Sequence, residues 1–378
     1  MARVPAFTGR TMDDARLADI RNNCTECGLC ADSCHILTES GESPAAMAAR
    51  GATLHEALSC SFCGACEAVC PQGVAPLELF AAKRREAVEN GEFAVEEFRY
   101  LYPDRERNLM SMYRAQCGID YQDLEASGEA TSCFFPGCSL MTYSPGLTRE
   151  VFGRLKESGV CQAIWTACCG KVLDQLGLRQ RLQNMQEHLR SFVREHGIKR
   201  LVVACPGCYH DLGEILRGSG VAIQTVYEVL DFGPGERAGG RRCTVHDACP
   251  DRTAGLFGGQ VRTLLEQSGF AITEMSHTRA NTICCGSGGQ LSHFRPDLVD
   301  ELVERRRDEF QQTGADVLVG YCLSCVLKYD SMLPGVPVTH ALNLLLEREP
   351  DYRGVKERAR RMFEGPDGEK LWEEVMAD

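Results

Sequence analysis

Short apolar runs punctuate the last two-thirds of the chain: SCFF (132–135), KRLVVA (199–204), RCTVH (242–246) and ADVLVG (315–320). Runs of this length, bounded by polar and turn residues, predict buried strands. Between them lie longer stretches with helical spacing, RLQNMQEHLRSFVREHG (181–197) and DLVDELVERRRDEFQQTG (297–314). Both end at glycine, a helix stop. Strands alternating with helices predict α/β units with a mainly parallel sheet. Near the N-terminus, MAARGATLHEAL (47–58) carries Met47, Leu54 and Leu58 at helical spacing, and residues 76–125 read as a helical connector. No apolar run reaches 18 residues, so no membrane helix is predicted. The first 17 residues lack the apolar core of a secretory signal. The expected location is the cytoplasm, or a membrane surface reached through a partner.

The apolar pattern repeats. The first copy has Cys138 after a strand, then Cys168-Cys169-Gly170, then Cys205 and Cys208; the second has Cys249, then Cys284-Cys285-Gly286, then Cys322 and Cys325. Equivalent cysteines lie 111, 116 and 117 residues apart, which predicts two copies of one domain about a pseudo-twofold axis. Each copy's cysteines fall in loops past strand ends, where open α/β sheets place their ligands.

Composition sharpens this picture. The 378 residues are 44% hydrophobic and carry a net charge of −12, with no long basic block, so nucleic acid is not an expected partner. Twenty-two cysteines are far more than a chain of this size needs. Without an export signal, and with local CxxC and CC spacings, they point to metal rather than disulfides. Two N-terminal runs read C-x2-C-x2-C-x3-C, at Cys24, Cys27, Cys30, Cys34 and at Cys60, Cys63, Cys66, Cys70, the second followed by Pro71. This is the two-cluster ferredoxin spacing, in which the fourth cysteine of each run serves the other cluster. One [4Fe-4S] cubane is then expected on Cys24, Cys27, Cys30 and Cys70, the other on Cys60, Cys63, Cys66 and Cys34. Zinc is the alternative, with four ligands per site and no crossing. His35 stands where proline usually follows the fourth cysteine. Twenty-five residues between the runs suit a helical ferredoxin.

Each repeat offers five thiols: Cys138, Cys168, Cys169, Cys205, Cys208, and Cys249, Cys284, Cys285, Cys322, Cys325. Five exceed the need of one zinc or one cube, and adjacent cysteines suit an object with several metals. These motifs resemble the cysteine-rich CCG domain of heterodisulfide reductases and related anaerobic dehydrogenase subunits. The order of modules resembles a fusion of the ferredoxin-type and catalytic subunits of heterodisulfide reductase. It is also similar to the iron–sulfur subunits of anaerobic glycerol-3-phosphate dehydrogenase and glycolate oxidase. The resemblance spans residues 20–345 and eighteen cysteines. It implies a noncubane [4Fe-4S] cluster on each five-cysteine set, hence one or two such clusters, with Cys138, Cys168, Cys169, Cys249, Cys284 and Cys285 at the reacting centre. Expected partners are a flavin- or haem-containing redox subunit, a ferredoxin, a hydrogenase or a membrane cytochrome, and a small disulfide substrate.

The expected fold class is α+β multidomain, a helical two-cluster ferredoxin domain (1–75), a helical connector (76–130), two α/β CCG domains (131–235 and 241–346) and a helical tail (347–378). Thirty-four residues separate Cys133 from Cys168, as Cys249 from Cys284, so spacing alone favours Cys133 as a ligand. Cys243 sits in its strand much as Cys133 does, so Cys138 is the expected ligand and Cys133 and Cys243 are expected core thiols. Cys117 and Cys161 belong to no motif and are expected to be buried. His246 and Asp247 adjoin Cys249 and are candidates for giving a proton to a leaving thiolate; a hydrogen bond to cluster or backbone is the commoner role. His293 is a weaker candidate. Gly286, Gly288 and Gly289 are expected to bring backbone close to a cluster. GPGERAGG (233–240) reads as a linker. No nucleotide- or flavin-binding loop is evident. The tail helices RGVKERARRMF and LWEEVM are expected to be solvated.

The expected activity is disulfide reduction at the CCG clusters with electrons relayed through the cubanes. Two competing readings are a pure electron-transfer subunit, passing electrons from a flavin dehydrogenase to quinone or cytochrome, and a zinc scaffold.

Overall fold

Both N-terminal cysteine runs fold alike in the computed structural model, which describes residues 9–126, 128–233 and 238–377. In each run the residue before the second cysteine is left-handed, Glu26 (φ 54°) and Phe62 (φ 57°), and so is the glycine after it, Gly28 (φ 81°) and Gly64 (φ 68°). Each glycine opens a one-turn helix, Leu29–Asp32 and Ala65–Ala68. Side chains rarely tolerate this backbone, so its recurrence at equivalent positions marks one loop built twice. The helix expected over 47–58 is broken. Pro44–Arg50 ends at Gly51, and Leu54–Leu58 restarts behind a capping box in which Thr53 and Glu56 exchange hydrogen bonds. The connector holds helices Leu77–Glu89 and Leu109–Gln116 around a 3-10 segment, Val95–Leu101.

The chain is α+β and multidomain, its ferredoxin-type region followed by two parallel sheets. The first contains β1 (Ser132–Phe135), β2 (Ala163–Ile164), β3 (Arg200–Val203) and β4 (Ala222–Thr225) in the order β2-β1-β3-β4. The second contains β5 (Arg242–His246), β6 (Ala271–Ile272), β7 (Val317–Gly320) and β8 (Val338–His340) in the order β6-β5-β7-β8. Every pairing is parallel. The chain reverses its direction of winding between β1 and β3, and again between β5 and β7. Loops at such a switch point splay apart and leave a crevice. Cys138 follows β1 and Cys205 follows β3; Cys249 follows β5 and Cys322 follows β7.

The helix Pro206–Ile215 of the first copy packs on the segment Cys249–Asp251 of the second. Reciprocally, Leu323–Met332 packs on Cys138–Tyr143. Mutual exchange of this kind defines a pseudo-twofold relation. Strand register corrects one expectation. Phe135 pairs with Val203 and His246 with Gly320, so β1 and β5 align with Cys133 opposite Leu201 and Cys243 opposite Val317, one residue out of step. Both are buried strand thiols, but Cys133 is equivalent to Thr244, not Cys243. A one-residue step also turns a side chain to the other sheet face, and the two cysteines belong to different apolar clusters.

The ferredoxin region is wedged against both copies. A Cβ on Gly288 would lie 2.3 Å from Ser61 O, and one on Gly289 2.2 Å from Cys60 O. These glycines therefore admit the second cysteine loop, not a cluster as expected. Arg84, wholly buried, donates to Ala57 O (2.9 Å), Leu58 O (3.2 Å), Cys60 O (3.0 Å) and Gln175 O (2.7 Å). Burial pulls its guanidinium down to about 10, which leaves it charged at neutral pH. Gly289 N donates to Gln175 Oε1 at 3.1 Å, closing the junction.

The C-terminal helices Val355–Arg361 and Gly365–Met376 are not simply solvated. Val375 is fully buried, Trp372 packs on Tyr100 at 5.2 Å, and Arg105 donates to Val375 O at 2.6 Å. The tail closes on the connector because its one apolar stripe has an aromatic seat there. Cys161 is buried as expected, but Cys117 is exposed at a helix end. Residues 234–237 of the expected linker lie outside the described residues. No helix among the described residues is long and apolar enough to cross a membrane.

Gly289 (φ 63°) and Gly41 (φ 67°) share a backbone conformation, but only Gly289 has a neighbour where a Cβ would sit. Gly41→Ala is expected to cost about 1–2 kcal/mol for the conformation alone. Gly289→Ala adds the clash, lowers the thermal midpoint further, and speeds proteolysis between the ferredoxin region and the repeats. Equal midpoints for the two variants would refute this junction.

Candidate metal centres

The structure gathers eighteen cysteines into four sets. Cys24, Cys27, Cys30 and Cys70 line a cavity of about 430 Å³ roofed by Val74 and Pro76. Cys70 reaches this cavity from the second run, the crossing that the spacing predicts. Cys34 makes the reverse move. Its charge bears on Cys60 and Cys66, and that of Cys63 on Cys34. Burial pushes the Cys34 thiol up to about 11. A neutral thiol is the form favoured in the bare site; a cation bound there reverses that preference.

In the first repeat the thiols touch in sequence: Cys138 against Cys168, Cys168 against Cys169, Cys169 against Cys208, and Cys208 against Cys205. The second repeat has the same order, Cys249, Cys284, Cys285, Cys325, Cys322. Gly170 N and Gly286 N donate to the Cys168 and Cys284 sulfurs at 3.4 and 3.3 Å. Gly137 has to be glycine, since a Cβ there would lie 2.8 Å from Cys205 Cβ. Cys133 is not in either set. Its near neighbour is Cys161, and burial pushes it up to about 11.

Two contacts join the sets. Cys205 touches Cys322, its own counterpart in the other repeat, so the two CxxC turns meet on the pseudo-twofold axis. Cys63 of the ferredoxin region touches Cys284, with Arg252 Nε donating to Cys63 O at 3.2 Å. The Cys284 contact first, and the Arg252 charge next among the favourable causes, pull the Cys63 thiol down to about 5.

Between the repeats lies a cavity of about 730 Å³. All five thiols of the first copy and four of the second, all but Cys284, line it. Phe62, Met110, Met141 and Met185 supply apolar wall. Arg114 stands on the wall, donating to Thr142 Oγ1 at 2.8 Å. Burial lowers its guanidinium, with the neighbouring Cys138 opposing. Lys171, also on the wall, pairs with Asp211 at 2.7 Å, and Asp211 Oδ2 lies 3.3 Å from Cys169 Sγ. Sequence reading missed all three, because nothing local marks a charged residue as facing a cavity assembled from distant segments.

The histidine and acid candidates separate. Asp247 is bound at both oxygens by Arg262 (2.7 and 2.8 Å) and accepts from Arg279 N at 2.6 Å. Burial raises its carboxyl, but Arg262 and the backbone bond more than offset this and hold it below the usual range. It is a structural ion pair, not a proton donor. His293 packs edge-on against Phe98 at 4.9 Å, in the connector contact. His246 is buried beside Cys285 and Cys325.

Residues 21–74 match the 4Fe-4S dicluster domain family, and residues 132–213 and 243–329 each match the cysteine-rich domain family, CCG. The chain joins a 4Fe-4S dicluster domain to two cysteine-rich CCG domains. It is 24% identical to a chain of the dihydromethanophenazine:CoB–CoM heterodisulfide reductase of Methanosarcina mazei, over 85% of this chain and 91% of that one. It is 24% identical to a chain of the CoM/CoB fumarate reductase of Methanothermobacter marburgensis, over 85% and 71%. It is also 24% identical to the glycolate oxidase iron–sulfur subunit of Escherichia coli, over 50% of this chain and 51% of that one. The donor chemistry of this chain fits iron–sulfur clusters: four-thiol sets that cross between two loops, and five-thiol sets facing one shared cavity.

If the crossing holds a cluster, Cys34→Ala removes about four irons per chain although it lies in the first run, and it spares the Cys24 cavity. Cys133→Ala leaves iron unchanged. Iron and acid-labile sulfide analysis of oxygen-free preparations reads both; retention of full iron in Cys34→Ala overturns the assignment.

Proposed function

We propose that the chain is an iron–sulfur oxidoreductase subunit that reduces a small disulfide at the junction of its two cysteine-rich domains. One cubane is held by Cys24, Cys27, Cys30 and Cys70, a second by Cys34, Cys60, Cys63 and Cys66, and a noncubane cluster by each five-cysteine set. The observation that carries this reading is the shared cavity: nine thiols from two repeats face one space large enough for a small molecule. When bound, iron–sulfur clusters supply one-electron steps and an iron that can accept substrate sulfur. The net change is R–S–S–R′ plus two electrons and two protons giving RSH and R′SH. A flavin- or haem-containing partner supplies the electrons.

The chain's own residues position and insulate. Arg84 and the Gly288–Gly289 approach seat the second cysteine loop, so Cys63 meets Cys284. Met110, Met141 and Met185 give the thiol junction apolar wall. Arg114 places a cationic group on the wall, which suits a substrate with an anionic substituent, while the Lys171 charge is met by Asp211. The likeness to a glycolate oxidase subunit favours a second reading, in which the same relay serves a partner enzyme and no substrate enters the cavity.

Metal analysis and turnover separate the readings. Four loaded sets predict about sixteen irons per chain, cubanes alone about eight. The loaded chain is expected to reduce a small acidic disulfide with an artificial one-electron donor. Arg114→Met is expected to raise KM about tenfold, equivalent to about 1.4 kcal/mol of lost binding, with iron content and kcat little changed. A loaded chain that turns over no disulfide supports the relay reading and refutes the first.

A further inference from the structure

The two cysteine-rich repeats are not chemically equal, and the inequality sits at the end of their first strands. Strand register makes Phe135 and His246 equivalent: Phe135 pairs with Val203, His246 with Gly320, and each lies three residues before the first cysteine of its set. Phe135 shares an apolar cluster with Cys169 and Cys208. His246 occupies the same place beside Cys285 and Cys325. It is 1% exposed, and neither ring nitrogen makes a hydrogen bond of normal geometry; its polar neighbour is the Cys285 thiol. A buried imidazole so weakly satisfied is costly. Its ring is held edge-on to Tyr329 at 4.9 Å, so it is fixed and not free to seek water.

One ligand atom of His246 and the sulfurs of Cys285 and Cys325 lie within 4.8 Å of one another. Tetrahedral metal bonds of about 2.0–2.3 Å to nitrogen and sulfur place ligand atoms roughly 3.5 Å apart, so the set needs little closure to share one ion. Among the described residues no other histidine joins thiols in such a group. We infer that His246 is a nitrogen ligand to the iron centre of the second repeat, a donor that the first repeat replaces with Phe135. This rests on the reading of the second five-cysteine set as a cluster site.

A neutral nitrogen adds no negative charge to a thiolate-rich centre, so it stabilises the reduced state relative to a further thiolate. The second repeat is the one whose Cys284 lies against Cys63, so electrons leaving the ferredoxin region meet the histidine-ligated site first.

The test uses the full chain, purified without oxygen from cells fed 15N-histidine or natural histidine. Pulsed EPR of the oxidised and reduced protein is expected to show a nitrogen hyperfine coupling of the directly bonded kind that changes with the isotope. His246→Phe, which installs the first repeat's residue, and His246→Cys, which restores a donor, should both lose the coupling. His246→Cys should keep its iron and lower the centre's midpoint potential. Absence of the coupling from iron-loaded wild type, or its persistence in either variant, overturns the inference. Weak coupling alone, as from a hydrogen bond to Cys285, also overturns it. The labelled wild type decides by itself should neither variant fold. A chain with no iron and no sulfide defeats the cluster reading instead.

Discussion

The structure depends on bringing thiols from far-apart segments into contact at the junctions between its modules. The second cysteine loop of the ferredoxin region does this at one place. Its carbonyl oxygens at Cys60 and Ser61 lie against Gly288 and Gly289 so closely that no side chain fits between. The carbonyls of Ala57, Leu58 and Cys60 at the start of the loop are met by a buried arginine, Arg84, which also donates to Gln175 O of the first repeat. A buried guanidinium is tolerable only when its donors are met, and here meeting them ties three modules together.

That junction orders the thiol sets. The first cavity, around Cys24, is the one farthest along the chain of contacts from the repeats. The second set meets the repeats through Cys63 and Cys284, and the repeats meet each other through Cys205 and Cys322. The pseudo-twofold axis brings equivalent turns together, yet the ferredoxin region touches only one repeat's CC pair in this way. Symmetry in the fold is thus broken by docking. It is broken again by side chains: Phe135 against His246, Lys171 and Asp211 against Ser287 and Lys328.

Much of the fold was legible from local pattern. The four apolar runs became strands, the amphipathic stretches became helices ending near Gly197 and Gly314, and the 111-to-117-residue period became two like sheets. The helix over 47–58 broke for a local reason, the Gly51 stop and the Thr53–Glu56 capping box behind it, and Cys117 came out exposed at a helix end. The tail's docking on Tyr100 turned instead on a neighbour distant in sequence. Gly288 and Gly289 were recognised as close-approach residues, but what approaches them is the ferredoxin loop, 227 residues upstream for Ser61 and Gly288.

The sequence alone determined which residues can bind metal, because cysteine spacing is a local matter: C-x2-C-x2-C and CC restrict which thiols a short backbone can converge. It also determined the duplication and the crossing of Cys34 and Cys70. Only the tertiary structure decided which sets touch, that a cavity opens between the repeats with Arg114 and Lys171 on its wall, and that His246 faces two sulfurs where Phe135 faces its counterparts. Those facts depend on strand register and on the packing of one module on another, and both are fixed by contacts between residues that no local spacing relates.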